Sequence, residues 1–419
     1  MSMLIGNYLG DKFYGRQKLY FVFIVLFVLL LSNGLYYCNW NSTYGGWGTK
    51  ICFLLFAFFL CTHKVNKLTF HFRNEMLALM LLQFPSIVNS WNYFGQSPME
   101  SFIADLGAFT YVTYFILHYY KVEESTILRA ILCIGLLIVI IQVVQQITYP
   151  KCFFGINSEE RQMLTKELAE QRNGLWRFRM HINGFYTAPV LFASWIWLQK
   201  KLNLSLMVIC ALLLVSIYLT LTRQVMVACL FAIFMASFIG NRKNKKGLLV
   251  LGLLLLVGLY EYYDVLFSSL ADQTKDDSTE DNIRILSAAY FWNESLKDVF
   301  TFLFGYGARA TSGTYALLMQ RLNTDFGFYT ADVGFIGQIY EKGIIYVLVT
   351  YWFFVKMYFK FKTQIPLYVK MMILFCVPMT PMIFAMFGPI YYFVWIMLAY
   401  VCDLHINKSP LAFKTTENI

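Results

Sequence analysis

Apolar residues run through this chain in stretches of about 20, the length that carries a helix across the hydrocarbon core of a bilayer. Such stretches lie at 19–37, 44–62, 75–93, 101–120, 126–148 and 181–199 in the first half. They continue at 203–221, 223–240, 247–263, 331–355, 366–385 and 388–405. The pattern predicts an all-α, polytopic membrane protein of about twelve transmembrane helices, a single domain over 1–419. Between 203 and 240 only Thr222-Arg223 interrupts the apolar residues. That stretch is too long for one crossing, so a tight turn is expected there, with Arg223 at the outer membrane face.

The polar gaps give the orientation. Lys12/Arg16/Lys18, Lys64/Lys67/Arg73, Lys121/Arg129, Lys200/Lys201, Arg242/Lys243/Lys245/Lys246, Lys356/Lys360/Lys362/Lys370 and Lys408/Lys414 recur in nearly every second gap. The positive-inside bias makes that side cytoplasmic, and an even number of spans puts both termini there. Two of the outward gaps are long, at about 150–180 and about 264–330, and chemistry is expected in them. In the first, Ser158 stands ahead of Glu159 and Glu160 like an N-cap, so a short amphipathic helix over 158–171 is expected at the interface. The larger loop opens acidic from Asp272 to Asp281, where flexibility is expected, and turns amphipathic from Ile283 to Phe304. It closes on Gly305-Tyr306-Gly307, and a helical cap over the bundle is the expectation. The inverted repeat common in secondary transporters is not visible.

Composition agrees with the pattern. With 58% hydrophobic and 14% charged residues, and a mean hydropathy of +0.55, the chain does not describe a soluble domain. The net charge of +10 is largely the orientation signal, since the inward clusters hold 20 of 34 basic residues. It is not read as a nucleic-acid footprint. The run Leu19 to Tyr36 lacks a small-residue cleavage site and is followed by many like it, so it reads as a first transmembrane helix, not a removed signal. Seven of the nine cysteines lie in or at the ends of apolar spans, where they behave as small hydrophobes. Cys38 and Cys152 fall in outward gaps and could pair, although no spacing argues for it.

Eight arginines stand on the outward side, against the positive-inside bias: Arg161, Arg172, Arg177, Arg179, Arg223, Arg284, Arg309 and Arg321. A permanently charged planar fork suits bidentate phosphate binding. Pairing with loop carboxylates or lipid headgroups is the alternative for each. Arg223 differs in sitting between two apolar helices with no acid nearby in sequence, where an ionisable group marks a site by default. Neither a metal-ligand pattern nor a Gly-rich phosphate loop is present in the outward loops, so no metal or cofactor is expected. Charge on a phosphate leaving group would then be stabilised by arginine alone. Asp332 begins the helix after the large loop, either as its cap or as a general base for a sugar hydroxyl. Glu341 and Lys342, about two turns deeper, read as a plain internal charge pair, and Asp105 is a half-buried carboxylate. Gln142, Gln145 and Gln146 share a helix face, as interhelical glue or as groove lining. Trp176, Tyr186, Trp292, Tyr306 and Tyr329 lie near the loops and are candidates to stack on sugars.

Together these features resemble the Wzy-type O-antigen polymerase and ligase superfamily of integral membrane glycosyltransferases. The likeness lies in the topology, in Leu221-Thr222-Arg223-Gln224 at an outward turn, and in Asp281-Asn282-Ile283-Arg284 and Phe304-Gly305-Tyr306-Gly307 within the large loop. It extends to Ala331-Asp332-Val333-Gly334-Phe335-Ile336-Gly337, then Tyr340-Glu341-Lys342-Gly343, and to Arg179, Gly184 and Pro189 at a loop-to-helix entry. The resemblance implies a GT-C-like fold in the bacterial inner membrane, acting at its periplasmic face without a cofactor. The implied reaction transfers glycan from undecaprenyl diphosphate to the next lipid-linked repeat unit, with a chain-length regulator as the expected protein partner and no nucleic acid. It further implies that Arg223 and Arg284 hold the diphosphate and that Asp332 activates the acceptor. Arg177, Arg179, Arg309, Tyr306 and Tyr329 are the expected substrate contacts. Ligases typically present histidine where this chain has Asp332, which favours a polymerase over a ligase. A flippase for lipid-linked oligosaccharides is the alternative from another class.

Overall fold

The computed structural model describes residues 15–31, 47–62, 70–148, 169–172, 175–178, 184–200, 203–239 and 283–408. Helices α1 (Gly15–Leu31) and α2 (Trp47–Thr62) are unbroken apolar runs. Where one span over 75–93 is expected, two short helices stand instead, α3 (Arg73–Leu81) and α4 (Ser86–Phe94). Pro85 parts them, because it lacks an N–H and disfavours a helical residue before it. The stretch 101–120 divides likewise into α5 (Pro98–Ala104), a 3-10 segment at Asp105–Tyr111, and α6 (Val112–Tyr120). Ser97 and Glu100 close a capping box that starts α5.

Helix α7 (Glu124–Thr148) follows, then a hairpin of β1 (Ala169–Arg172) and β2 (Leu175–Phe178). The hairpin corrects the helix expected over 158–171: residues 169–171 are strand, and 158–168 lie outside the described residues. Arg172 pairs with Leu175, leaving Asn173-Gly174 as a two-residue connection, the strongest short-range hairpin signal a sequence carries. Helices α8 (Gly184–Lys200), α9 (Leu204–Tyr218) and α10 (Arg223–Ile239) come next. The expected tight turn therefore falls at 219–222, with Arg223 as the first residue of α10. The span expected at 247–263, the acidic stretch Asp272 to Asp281, Arg179, Cys38 and Cys152 lie outside the described residues.

The rest of the chain comprises α11 (Ile283–Ser295), α12 (Val299–Phe304), α13 (Thr314–Asp325), α14 (Gly334–Val355), α15 (Leu367–Cys376) and α16 (Pro389–Lys408). A 3-10 turn at Thr330–Val333 leads into α14 and a π turn at Lys356–Lys360 continues it. Among the described residues, Glu124–Thr148, Thr330–Lys360 and Pro389–Lys408 are long and apolar enough to cross a membrane. Four shorter apolar helices accompany them: Trp47–Phe58, Leu204–Tyr218, Gln224–Ala236 and Leu367–Met379. Leu19, Val22, Phe23 and Leu26 on α1 are exposed, as are Leu137, Ile140, Val143 and Ile147 on α7. Apolar stripes that face outward at helical spacing are what lipid, not water, solvates.

The described residues fall into two compact units, each assembled from separate stretches of chain. No linker in the sequence marks such a division. The first draws on 1–47, 122–278 and 366–378. In it α1, α8 and α9 pack on α7, while α8 and α10 pack on α15. Of the glutamines on α7, Gln142 accepts a hydrogen bond from Ser216 on α9 at 3.0 Å, the glue role. Such a bond within a membrane is worth about 0.6–2 kcal/mol. Gln146 accepts from the Trp176 backbone N–H at 2.9 Å and donates to the Trp176 carbonyl, which ties β2 to α7.

The second unit draws on 48–121, 279–365 and 379–419, with α3, α11 and α12 packed on α14. Its buried charged side chains pair across distant segments. Lys342 meets Asp105, Lys356 meets Glu75 at 2.6 Å, and His118 lies 2.9 Å from Asp403, which also accepts from Tyr114. Charges this deep are tolerated only when matched. Helix α14 kinks at Gly343, which holds φ 80°. A side chain there would strike the Leu303 carbonyl, and one at Gly305 would strike the backbone of Glu341 and Lys342. Two backbones this close require glycine on both sides. In that contact the N–H groups of Tyr306 and Gly307 donate to the Tyr340 and Glu341 carbonyls, at 2.7 and 2.8 Å.

Candidate functional site

The site in the second unit begins with the polar face of α4. Asn89 donates to the Gly305 carbonyl at 2.7 Å, and Ser90 donates to the Tyr306 carbonyl. Gln96 donates to the Ala308 carbonyl at 3.1 Å and accepts from the Ala310 N–H at 2.8 Å. The loop that carries Arg309 is thus pinned on both sides of the arginine. Helix α13 brings Tyr315, Met319 and Asn323 to one face, since residues four apart stack along a helix. The turn before α14 supplies Tyr329, Thr330 and Ala331, α14 itself supplies Glu341, and Phe387 stands just before α16.

These residues enclose a cavity of about 210 Å³. Thr330 Oγ1 donates to Glu341 Oε1 at 2.6 Å, and Arg309 and Lys342 both act on the Glu341 carboxylate electrostatically. Glu341 and Lys342 do not pair as neighbours in the way the sequence suggests. Consecutive residues on a helix point apart, and Lys342 reaches Asp105 instead. One carboxylate therefore faces the cavity while the adjacent cation is committed elsewhere.

A hydrophobic core of Phe291, Tyr306, Tyr315, Met319, Leu322, Val333 and Tyr340 adjoins the cavity and shares Tyr315 and Met319 with its walls. Phe94 stacks on Tyr315 at 4.1 Å with an interplanar angle of 3°. Tyr306, expected as a sugar contact, is 2% exposed and belongs to this core. Its hydroxyl donates to the Glu294 carbonyl at 3.1 Å, and burial pushes the phenol up to about 12. Its ring packs against Tyr340, with centroids 4.9 Å apart.

The remaining expected residues are distributed. Arg309 and Tyr329 line the cavity. Asp332 is exposed on the 3-10 turn next to the lining residues. It is not the cap of α14, whose N-cap is Val333 with no side-chain hydrogen bond. Arg284 lies on the exposed side of α11, where Nη1 approaches Met382 Sδ at 3.7 Å. Arg223 opens α10 in the first unit, and Arg177 pairs through its backbone with Glu170 in the hairpin. Sequence reasoning missed Tyr315, Asn323 and the place of Glu341 on the cavity wall. The four-residue spacing from Tyr315 to Asn323 is the one signal that could have shown them as a single face. No family model, curated protein or solved structure matches the chain, so the residues themselves carry the functional reading.

Proposed function

We propose that this chain is a polysaccharide polymerase of the bacterial inner membrane. It moves a growing glycan from undecaprenyl diphosphate onto a sugar hydroxyl of the next lipid-linked repeat unit, at the periplasmic face. In this reading the chain crosses about twelve times, both termini are cytoplasmic, and the two long loops face outward. Arg223 and Arg284 hold the diphosphate, Arg309 and Tyr329 contact substrate, and the resemblance gives the acceptor's proton to Asp332. The observation that carries the reading is the cavity where the large loop returns to an apolar helix. There a guanidinium, tyrosine rings and a carboxylate meet. Rings offer faces for sugar, and arginine offers a fixed charge for a departing phosphate without a metal.

Deletion of the gene should leave single lipid-linked repeats in place of long glycan. Complementation with Arg223→Ala, Arg284→Ala or Arg309→Ala should fail to restore length while the protein still accumulates in the membrane. Undiminished polymer from all three variants refutes the reading. The three buried acid–base pairs of the second unit favour one competing reading, a flippase, because intramembrane charge also marks transport paths. Repeat units trapped on the cytoplasmic face of the deletion strain would support that alternative instead.

A further inference from the structure

Resting on the polymerase reading, we infer that Glu341, not Asp332, takes the acceptor's proton and that the cavity it lines seats the accepting sugar ring. Asp332 is exposed on the turn and is not a lining residue. Glu341 is on the cavity wall, with one oxygen engaged by Thr330 at 2.6 Å. Its lysine neighbour makes its ion pair with Asp105 and reaches Glu341 only through space. Its backbone is fixed as well, because the Glu341 carbonyl accepts from the Gly307 N–H at 2.8 Å. A general base must be held by its surroundings before substrate arrives, and this one is held at both backbone and side chain.

The ligand class follows from the walls. A cavity of about 210 Å³ falls below the roughly 300–1,000 Å³ that accepts a drug-sized molecule, which suits one ring at the end of a chain. Tyr329 and Phe387 give that ring apolar faces, while Arg309 and Glu341 give its edge a donor and an acceptor. In the transfer, the acceptor hydroxyl oxygen bonds to the anomeric carbon of the donor glycan. The bond from that carbon to the diphosphate oxygen breaks, and undecaprenyl diphosphate leaves with the electron pair. The hydroxyl proton passes to the Glu341 carboxylate.

The test uses the purified full chain with undecaprenyl-diphosphate-linked repeat units extracted from the deletion strain, scoring polymer length and release of undecaprenyl diphosphate across pH. Glu341→Gln preserves an acceptor for Thr330 and should lower the rate by about 10²–10⁴-fold while abolishing the acidic limb of the pH profile. Glu341→Asp keeps a carboxylate and should recover part of the rate with that limb present. Wild-type rate and an unchanged limb in Glu341→Gln overturn the assignment and leave the polymerase reading intact. Glu341→Asp no more active than Glu341→Gln also overturns it. Absence of polymer from the wild-type protein, with the repeat units shown to be intact, removes the polymerase reading and this base together.

Discussion

Removing one partner of the Asp105–Lys342 pair should harm the protein far more than removing both. The two side chains are 0% and 7% exposed, so water cannot replace a missing partner for either. Asp105 leans on Lys342 heavily, because its Oδ2 has no hydrogen-bond partner among the described residues. Lys342→Met leaves that carboxylate buried and unmatched, and Asp105→Leu does the same to the ammonium. Each loss should cost about 3–5 kcal/mol, a large share of the roughly 5–15 kcal/mol that holds a domain folded. At about 2 °C per kcal/mol for a long chain, Tm should fall by about 6–10 °C in either single variant. The double variant Asp105→Leu/Lys342→Met carries no charge to strand, and it should return to within about 2 °C of wild type. Thermal unfolding of purified protein in detergent, followed by tryptophan fluorescence and retention of a monodisperse peak, measures all four members of the cycle. A double variant as unstable as the sum of the singles would show that the pair is not coupled, and the reasoning would fail.

Two further outcomes follow from the backbone contact at the kink and from the buried phenol. Gly343→Ala forces a side chain onto the Leu303 carbonyl at a φ of 80°. It should destabilise the protein by at least about 1–2 kcal/mol and speed hydrogen exchange at the Tyr306 and Gly307 amides, whereas unchanged exchange there would exclude the contact. Because burial holds the Tyr306 proton up to about 12, against an unfolded value of about 10, the folded state keeps this proton longer. That stabilisation is complete below about pH 10 and is lost as pH rises through about 12. Tyr306→Phe should therefore lose less stability than wild type between those values in alkaline unfolding curves, and equal losses would count against the burial.

What the sequence could disclose was decided by distance along the chain. The turn before Arg223 was legible, because nothing but a reversal fits 38 nearly continuous apolar residues from 203 to 240. The break at Pro85 was equally local, and was overlooked only because the apolar run around it reads as a single span. The hairpin at 169–178 carried its signal in Asn173-Gly174, overshadowed by the charged, helix-favouring residues before it. The cavity is different in kind. Thr330 and Glu341 are 11 residues apart, near enough to suspect, but Asp105 and Lys342 are separated by 237. Adjacency made Glu341 and Lys342 look like a pair, and only the fold could direct them to different partners. Arg309 and Tyr329 were singled out by residue type and by loop, and both line the cavity. Their meeting with Tyr315 depends on the polar face of α4, which no periodicity announces.

The stitching of the Gly305–Gly307 segment to α14 is made of main chain on both sides. Every residue but proline carries both an N–H and a carbonyl, so the seam tolerates any other flanking side chain, provided the glycines stay small. Residues around the mouth of the cavity are thereby released to change, while the frame that presents them stays put. A scaffold of this design can be given a differently shaped cavity by substitution at the rim alone, with the frame beneath left untouched.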